Sequence, residues 1–412
     1  VSTPDDYDPF SPDTIASPWE FYAALREHAP VYPLEQTGYS LVSRYDDCRA
    51  AALDPDTFSS NLVAMVVGLT GQAPALLEVS SATTRPVDVL AIADEPVHAR
   101  QRKVANSAMT PRRVAAMEDG LRGLAGQLVE TFLARDSSDD WMQAVANEMP
   151  VQVVCRLVGL PLEDRVQLRA WANDGSALLS GVLNDEQLAR YAASVMKLNA
   201  YLADAFRAAR DSPGDNVLGV LARATHEDED FLSEDEVVAI LLQLLSAGSE
   251  STAALLGSAV LLLARDPQLQ QALRADPSAI PAFIEETLRL ESPFQGHFRL
   301  ATRDCSLGGV DIASGTRLML LWGSANRDPS QFADPDRLRP GRDNASAHLA
   351  FGLGIHHCIG AALARMETRV ALEELLARTS SFELADQDQT PSYLPSVMIR
   401  RLGRLPLTAS PR

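Results

Sequence analysis

The residues best suited to chemistry lie in one short run, Phe351-Gly352-Leu353-Gly354-Ile355-His356-His357-Cys358-Ile359-Gly360. Two glycines ahead of Cys358 permit a tight loop whose amide N–H groups can point at the sulfur. Gly360 follows, where a bulky side chain would obstruct a flat cofactor, and helical periodicity begins at once. A thiolate at a helix N-terminus is favoured by the macrodipole and by unpaired N–H groups. Together these features describe a cysteine held as an anionic metal ligand. Two other readings stay open on the residues alone. One is a buried structural cysteine after a Gly-rich turn. The other is a zinc site using His356, His357 and Cys358, although adjacent side chains rarely converge on one ion.

Three further constellations have suggestive spacing. Glu286 and Arg289 lie three apart and share a helix face, as do His98 and Arg102, four apart, after Asp94-Glu95-Pro96. Most such pairs are solvated surface features of little energetic weight. The third is Ser246-Ala247-Gly248-Ser249-Glu250-Ser251-Thr252, in the middle of a long apolar helical pattern. Gly weakens a helix interior and Ser/Thr hydroxyls bond back to carbonyls, so the backbone ladder is expected to loosen there. A crossing point for another helix is the plainer explanation of the small residues.

The elements that must position these residues are mostly helical. Ser17-Pro18 with Glu20 predicts a capped helix running to about His28, and short strands follow at Val31–Glu35 and Tyr39–Arg44. Residues 61–81 are apolar yet broken by Gly68, Gly71 and Pro74, which predicts a long functional loop. Helices are expected at about Val97–Ala108, Pro111–Arg135, Trp141–Leu157, Leu162–Leu179, Asp185–Asp211, Asn216–Ala224, Glu234–Arg265, Ile280–Glu291 and Ala361–Thr379. Strands are expected near Cys305–Leu307, Val310–Ile312, Arg317–Leu321 and Tyr393–Leu407. The fold class is mainly α with minor β: a single domain over 1–412, with β-rich parts at about 30–60, 300–325 and 393–407.

Acidic residues outnumber basic ones 55 to 36, for a net charge of −19, which disfavours nucleic acid and anionic lipid as partners. The four cysteines, Cys48, Cys155, Cys305 and Cys358, are scattered without a CxxC, so a disulfide scaffold or an iron–sulfur cluster is not supported. The N-terminal stretch has no signal-peptide pattern, and apolar runs such as Leu255–Ala264 fall short of the ~20 residues that span a bilayer. A cytoplasmic, monomeric protein without a membrane anchor is expected.

The Phe351–Gly360 run resembles the haem-binding signature of the cytochrome P-450 superfamily, and other family landmarks occur in order along nearly the whole chain. The soluble bacterial members are the most similar. The resemblance implies the P-450 fold, haem b with Cys358 as its axial thiolate, and Phe351, Gly352, Gly360 and Ala247 around it. His98, Arg102, Arg299 and His356 then match donors to the haem propionates. Glu286 and Arg289 match a structural Glu–Arg pair, with Arg337 as its third member. Glu250 matches the acid of the oxygen-activation motif; Ser251 stands where the family usually has Thr, and Thr252 follows, so either hydroxyl is a candidate. Segments that line the pocket in relatives contain Leu62, Val63, Met65, Val66, Phe294, His297, Phe298, Val397 and Met398. The implied activity is insertion of one atom of O2 into a hydrophobic small molecule. No dinucleotide fingerprint occurs, so NAD(P)H would act indirectly, through a ferredoxin reductase and a ferredoxin. Lys103, Arg112, Arg113, Arg342 and Arg365 are expected to form a basic docking patch. A peroxygenase, an oxygen-independent rearrangement enzyme and a non-catalytic haem sensor are the alternatives on the same fold.

Overall fold

The centre of the molecule is the helix Glu234–Ala264, 31 residues long. The Ser233 hydroxyl accepts from the Glu236 N–H, and the Glu236 carboxylate accepts from the Ser233 N–H, closing the capping box that the sequence predicts. Its first half packs with Val154, Leu168, Leu202 and Phe206. Its second half packs with Trp141, Phe283, Val370 and Leu375. The Ser/Gly/Glu segment 246–252 falls between these two cores. By length and composition this helix could cross a membrane, contrary to the sequence expectation. Burial in two cores accounts for its apolar character.

The computed structural model describes residues 2–35, 37–61, 64–69, 75–78, 87–134, 139–178, 182–227, 232–388 and 390–412, with backbone alone at 64–69, 75–78, 182 and 225–227. The fold is mainly helical with small sheets, as the sequence leads one to expect. The helices Val97–Ala108 and Asp185–Asp211 keep their expected bounds, and Ile280–Leu290 and Ala361–Arg378 end one residue early. The expected Trp141 helix divides into a wide turn at Met142–Ala146 and a helix at Glu148–Val158. Pro150 has no N–H to offer the Ala146 carbonyl, so the ladder changes register there. The expected Pro111–Arg135 helix likewise divides, into Pro111–Ala115 and Glu118–Leu133. Among the described residues, helices at Pro12–Ala16, capped by Ser11, at Tyr45–Leu53 and at Trp322–Ala325 lie outside the sequence reading. Ser17 does not N-cap the next helix, which begins at Trp19; it closes the preceding one, its N–H donating to the Asp13 carbonyl.

The five-stranded sheet runs Val31–Leu34, Tyr39–Val42, Arg317–Leu320, His297–Ala301, Phe58–Ser59. The 61–81 stretch is not simply a loop. Ala64–Leu69 pairs antiparallel with Ala75–Glu78, and Gly68-Leu69 runs parallel to Val182-Leu183. Leu62 and Val63 lie outside the described residues, and Met65 and Val66 belong to that strand. The tail also differs from expectation. Residues 393–407 form isolated bridges, Phe294 to Ile399 and Tyr393 to Leu402, and the strand is Leu407–Pro411 against Thr379–Leu384. Alternation along the tail is overridden because Arg400 turns inward to Glu291, 2.7 Å away, and Arg401 to Glu250.

Glu367, 1% exposed on the helix Ala361–Arg378, carries a pH signature. Burial alone raises its pKa well above the usual carboxylate range. A raised folded-state pKa contributes stability that is complete below the unfolded value and is lost as pH rises through the folded one. Wild-type stability is therefore expected to fall with rising pH, by up to about 1.4 kcal/mol per unit from this group. Glu367→Gln should remove that slope in urea unfolding; an unchanged slope would exclude Glu367 as its source.

Candidate active site

The cysteine loop is built as its glycines suggest. Gly352 and Gly354 take φ of +66° and +71°. At Gly354 a Cβ would also come within 2.7 Å of the Ala52 carbonyl oxygen, so both conformation and space require glycine. The loop closes through the Cys358 N–H, which donates to the Phe351 carbonyl at 2.8 Å. Cys358 keeps accessible surface. Its surroundings still raise the thiol pKa by desolvation, opposed by the Gly360 and Ala361 amides and by the Arg102 and Arg365 charges. Arg365 lies over the Phe351 ring, 4.4 Å from its centroid, and donates twice to Glu285, at 2.6 and 2.9 Å.

Beside this loop the fold gathers two imidazoles around a buried arginine, from three segments. His98 comes from the helix Val97–Ala108, Arg299 from the sheet and His356 from the loop. The His98 and His356 rings are 4.4 Å apart. His98 Nδ1 faces Glu95 Oε1 at 3.1 Å, which leaves Nε2 as the open atom. His98 Nε2 and both His356 ring nitrogens are buried without a hydrogen-bond partner among the described residues. Arg299 is 6% exposed, and among the described residues its side chain bonds only the Phe298 carbonyl, at 2.7 Å. Burial pushes its pKa down to about 10, with Asp94 opposing. Burial, then the Arg299 and His98 charges, hold His356 down to about 3. Arg102 does not join this cluster; it donates to the His357 carbonyl at 2.5 Å, on the Cys358 side.

The long helix brings Glu250, Ser251 and Thr252 to the gap between its two cores. The helix runs unbroken through this stretch, and the hydroxyls bond back to carbonyls within the turn, as the sequence leads one to expect: Ser249 to Leu245 O at 2.7 Å and Ser251 to Ala247 O at 2.6 Å. A Cβ on Gly248 would come within 2.8 Å of Val154, so this glycine is a helix crossing point. Ala247 and Ser251, four apart, keep accessible surface on one face, whereas Thr252 is 3% exposed. Glu250 Oε1 lies 3.6 Å from Arg401 Nη2. Burial raises the Glu250 pKa, with Arg401 and then Ser176 opposing. Arg401 had no signal in the sequence.

The Glu–Arg pair is fully buried, with Arg289 Nε and Nη2 each 2.8 Å from Glu286. Its third member is Arg342 and not Arg337. Arg342 Nε donates to Glu286 Oε1 at 3.2 Å, while Arg337 contributes only its carbonyl, to Arg289 and Arg342. The turn after Asp334 exposes the Arg337 side chain and aims Arg342 inward. This also removes Arg342 from the expected basic patch. Arg365 is neutralised by Glu285 and Arg113 by Asp215, leaving Lys103 and Arg112 exposed.

The pocket residues divide. Phe298 and Val397 line an apolar cleft with Phe10, Leu34, Tyr39 and Met319. Met398 is buried in the core beside Phe21 and Leu41. Phe294 and His297 face one another, ring centroids 5.1 Å apart.

Comparison with known proteins agrees with this geometry. The family model for Cytochrome P450 matches residues 184–280 and 278–406. Cytochrome P450 144 of Mycobacterium tuberculosis is 39% identical over 97% of this chain and 90% of its own length. The vitamin D(3) 25-hydroxylase of Pseudonocardia autotrophica is 36% identical over 99% of this chain and 98% of its own. The solved cytochrome P450 CREJ, in complex with (4-ethylphenyl) dihydrogen phosphate, is 29% identical and superposes with a TM-score of 0.90 over 99% of this chain and all of that one. A cysteine loop at a helix start, a buried Glu–Arg pair and near full-length similarity have one common explanation: the chain belongs to the bacterial cytochrome P-450 superfamily and is a monooxygenase, an oxidoreductase that carries haem on a cysteine thiolate.

Proposed function

We propose that Cys358 is the haem ligand and that the enzyme inserts one atom of O2 into a C–H or C=C bond of an apolar small molecule. The electrons would come from NAD(P)H through a separate reductase and ferredoxin, in the cytoplasm. The carrying observation is the group of His98, Arg299 and His356 beside the cysteine loop. Among the described residues the buried Arg299 has no ion pair and three imidazole nitrogens have no hydrogen-bond partner; the two haem propionate carboxylates would supply the counter-charge and the acceptors. The donor set therefore fits the group, with Cys358 on one side and His98, Arg299 and His356 at its edge; Arg102 would have to leave the His357 carbonyl to join them. A coordinating thiol is deprotonated outright, which overcomes the desolvation that holds Cys358 protonated on its own.

Bound there, thiolate-ligated haem would supply oxygen activation. The chain's own part is proton management and exclusion of water. Glu250, kept protonated to higher pH by burial, would hold a proton, and Ser251 would place it. Ala247 and Ser251 would border the space where substrate binds. The name of the vitamin D(3) hydroxylase relative supports hydroxylation of an apolar molecule. The reduced carbon monoxide complex should show the red-shifted Soret band of thiolate ligation, and Cys358→Ser should lose it. A Cys358→Ser protein that kept that band would end the assignment.

A further inference from the structure

One titratable side chain near the cluster has no part in this scheme. His297 stands two residues before Arg299 on the strand His297–Ala301. The two side chains leave the strand on one face, while Phe298 leaves on the other, toward the apolar cleft. Trp322, 1% exposed, directs its indole Nε1–H at His297 Nδ1 from 2.7 Å. An indole nitrogen only donates, so Nδ1 must accept, and a neutral imidazole with a bare Nδ1 carries its proton on Nε2. Packing of the tryptophan thus fixes the tautomer. Burial, with Arg299 adding to it, pushes the ring's pKa down to about 3, so the ring is neutral at working pH. Among the described residues nothing accepts from Nε2. His297 is also close enough to His356 for its charge, were it present, to disfavour protonation there.

We propose that His297 is a fixed Nε2–H donor to the carboxylate held by Arg299 and His356, an anchor of the haem propionates and not a wall of the substrate pocket. The proposal rests on the haem-binding reading above. A neutral donor suits this place. Arg299 already supplies a buried cation, and a second positive charge on the same strand face would add desolvation cost and repulsion, whereas an oriented N–H adds a hydrogen bond without either.

The test is the rate at which ferric holoenzyme surrenders haem to excess apomyoglobin, compared among wild type, His297→Phe, His297→Gln and Trp322→Phe. A hydrogen bond to a charged group is strong enough that His297→Phe should lose haem about tenfold faster or more. His297→Gln keeps an N–H donor and should stay near wild type. Trp322→Phe leaves the imidazole in place but frees its tautomer, so it should lose haem faster than wild type by a smaller factor. It also decides the matter if His297→Phe does not fold. Haem loss at the wild-type rate in both His297→Phe and Trp322→Phe would overturn the proposal. So would a His297→Phe protein that holds haem normally but binds cyclohexanone, relative to cyclohexane, more weakly in a spectral titration, which would return His297 to the substrate wall. Wild-type protein that takes up no haem would sink the haem reading itself, a result distinct from either of these.

Discussion

Arg342→Ala should destabilise the fold by about 3–5 kcal/mol, the usual cost of removing one partner from a buried ion pair. Arg337→Ala should barely move the urea midpoint. Arg342 is 5% exposed in its side chain, and Glu286 is completely buried. Glu286 Oε1 accepts from Arg289 Nη2, from the Arg339 N–H at 3.0 Å and from Arg342 Nε, so the carboxylate is fully committed. Burial by itself would raise its pKa; the Arg289 hydrogen bonds, with Arg339 and Arg342 behind them, bring it below the usual range. A lowered folded-state pKa contributes stability that is present above the unfolded value and lost as pH falls through the folded one. Arg342→Ala should therefore also lessen the loss of stability on acidification, because Glu286 then starts nearer its unfolded pKa. Arg342 further ties the Asp334 and Arg337 carbonyls, at 3.2 and 3.3 Å, so the segment leading to the cysteine loop should loosen and haem content should fall. If Arg337→Ala proved the more damaging change in urea unfolding, the assignment of the third arginine would be reversed.

Ser251→Ala should raise hydrogen peroxide release and lower product formed per NAD(P)H, while Thr252→Ala leaves coupling near wild type. Successive residues on a helix point ~100° apart, so the two hydroxyls cannot serve one target. Ser251 shares its accessible face with Ala247, and Thr252 is buried. While donating to Ala247 O, the Ser251 oxygen keeps lone pairs with which to accept a proton donor. Ser251→Thr, whose β-methyl stiffens χ1, should couple at least as well as wild type. Glu250→Gln should slow the oxygen-dependent step by about 10²-fold with haem content intact. Arg401 opposes the burial that raises the Glu250 pKa, so Arg401→Leu should move that pKa, and the pH limb reporting on it, further upward. The comparison needs one substrate and one redox partner, with oxygen, peroxide and product measured together. Uncoupling by Thr252→Ala and not by Ser251→Ala would exchange the roles of the two hydroxyls without disturbing the family assignment.

Much of this protein follows from local signals. The capping box at Ser233, the glycines before Cys358 and the 3.6-residue period of Asp185–Asp211 each act within a few residues of chain. Such features are legible in sequence because the forces behind them, capping, steric freedom and amphipathic burial, are local. The hairpin at 64–78 was less legible: apolar runs broken by Gly and Pro read as a loop until a parallel partner, Val182-Leu183, is found far along the chain. The choice of Arg342 over Arg337 was undecidable locally, because two arginines five apart in an irregular segment differ only in which way the turn aims them. The same holds for Glu250 with Arg401 and for His297 with Trp322, residues distant or unremarkable in sequence that meet through packing. Sequence by itself determined most of the long helices, the cysteine loop and the chemical class of the site. Tertiary structure decided which charge neutralises which and which nitrogen carries the proton, because electrostatic and hydrogen-bond partners in a buried site are chosen by distance in space and not by distance along the chain.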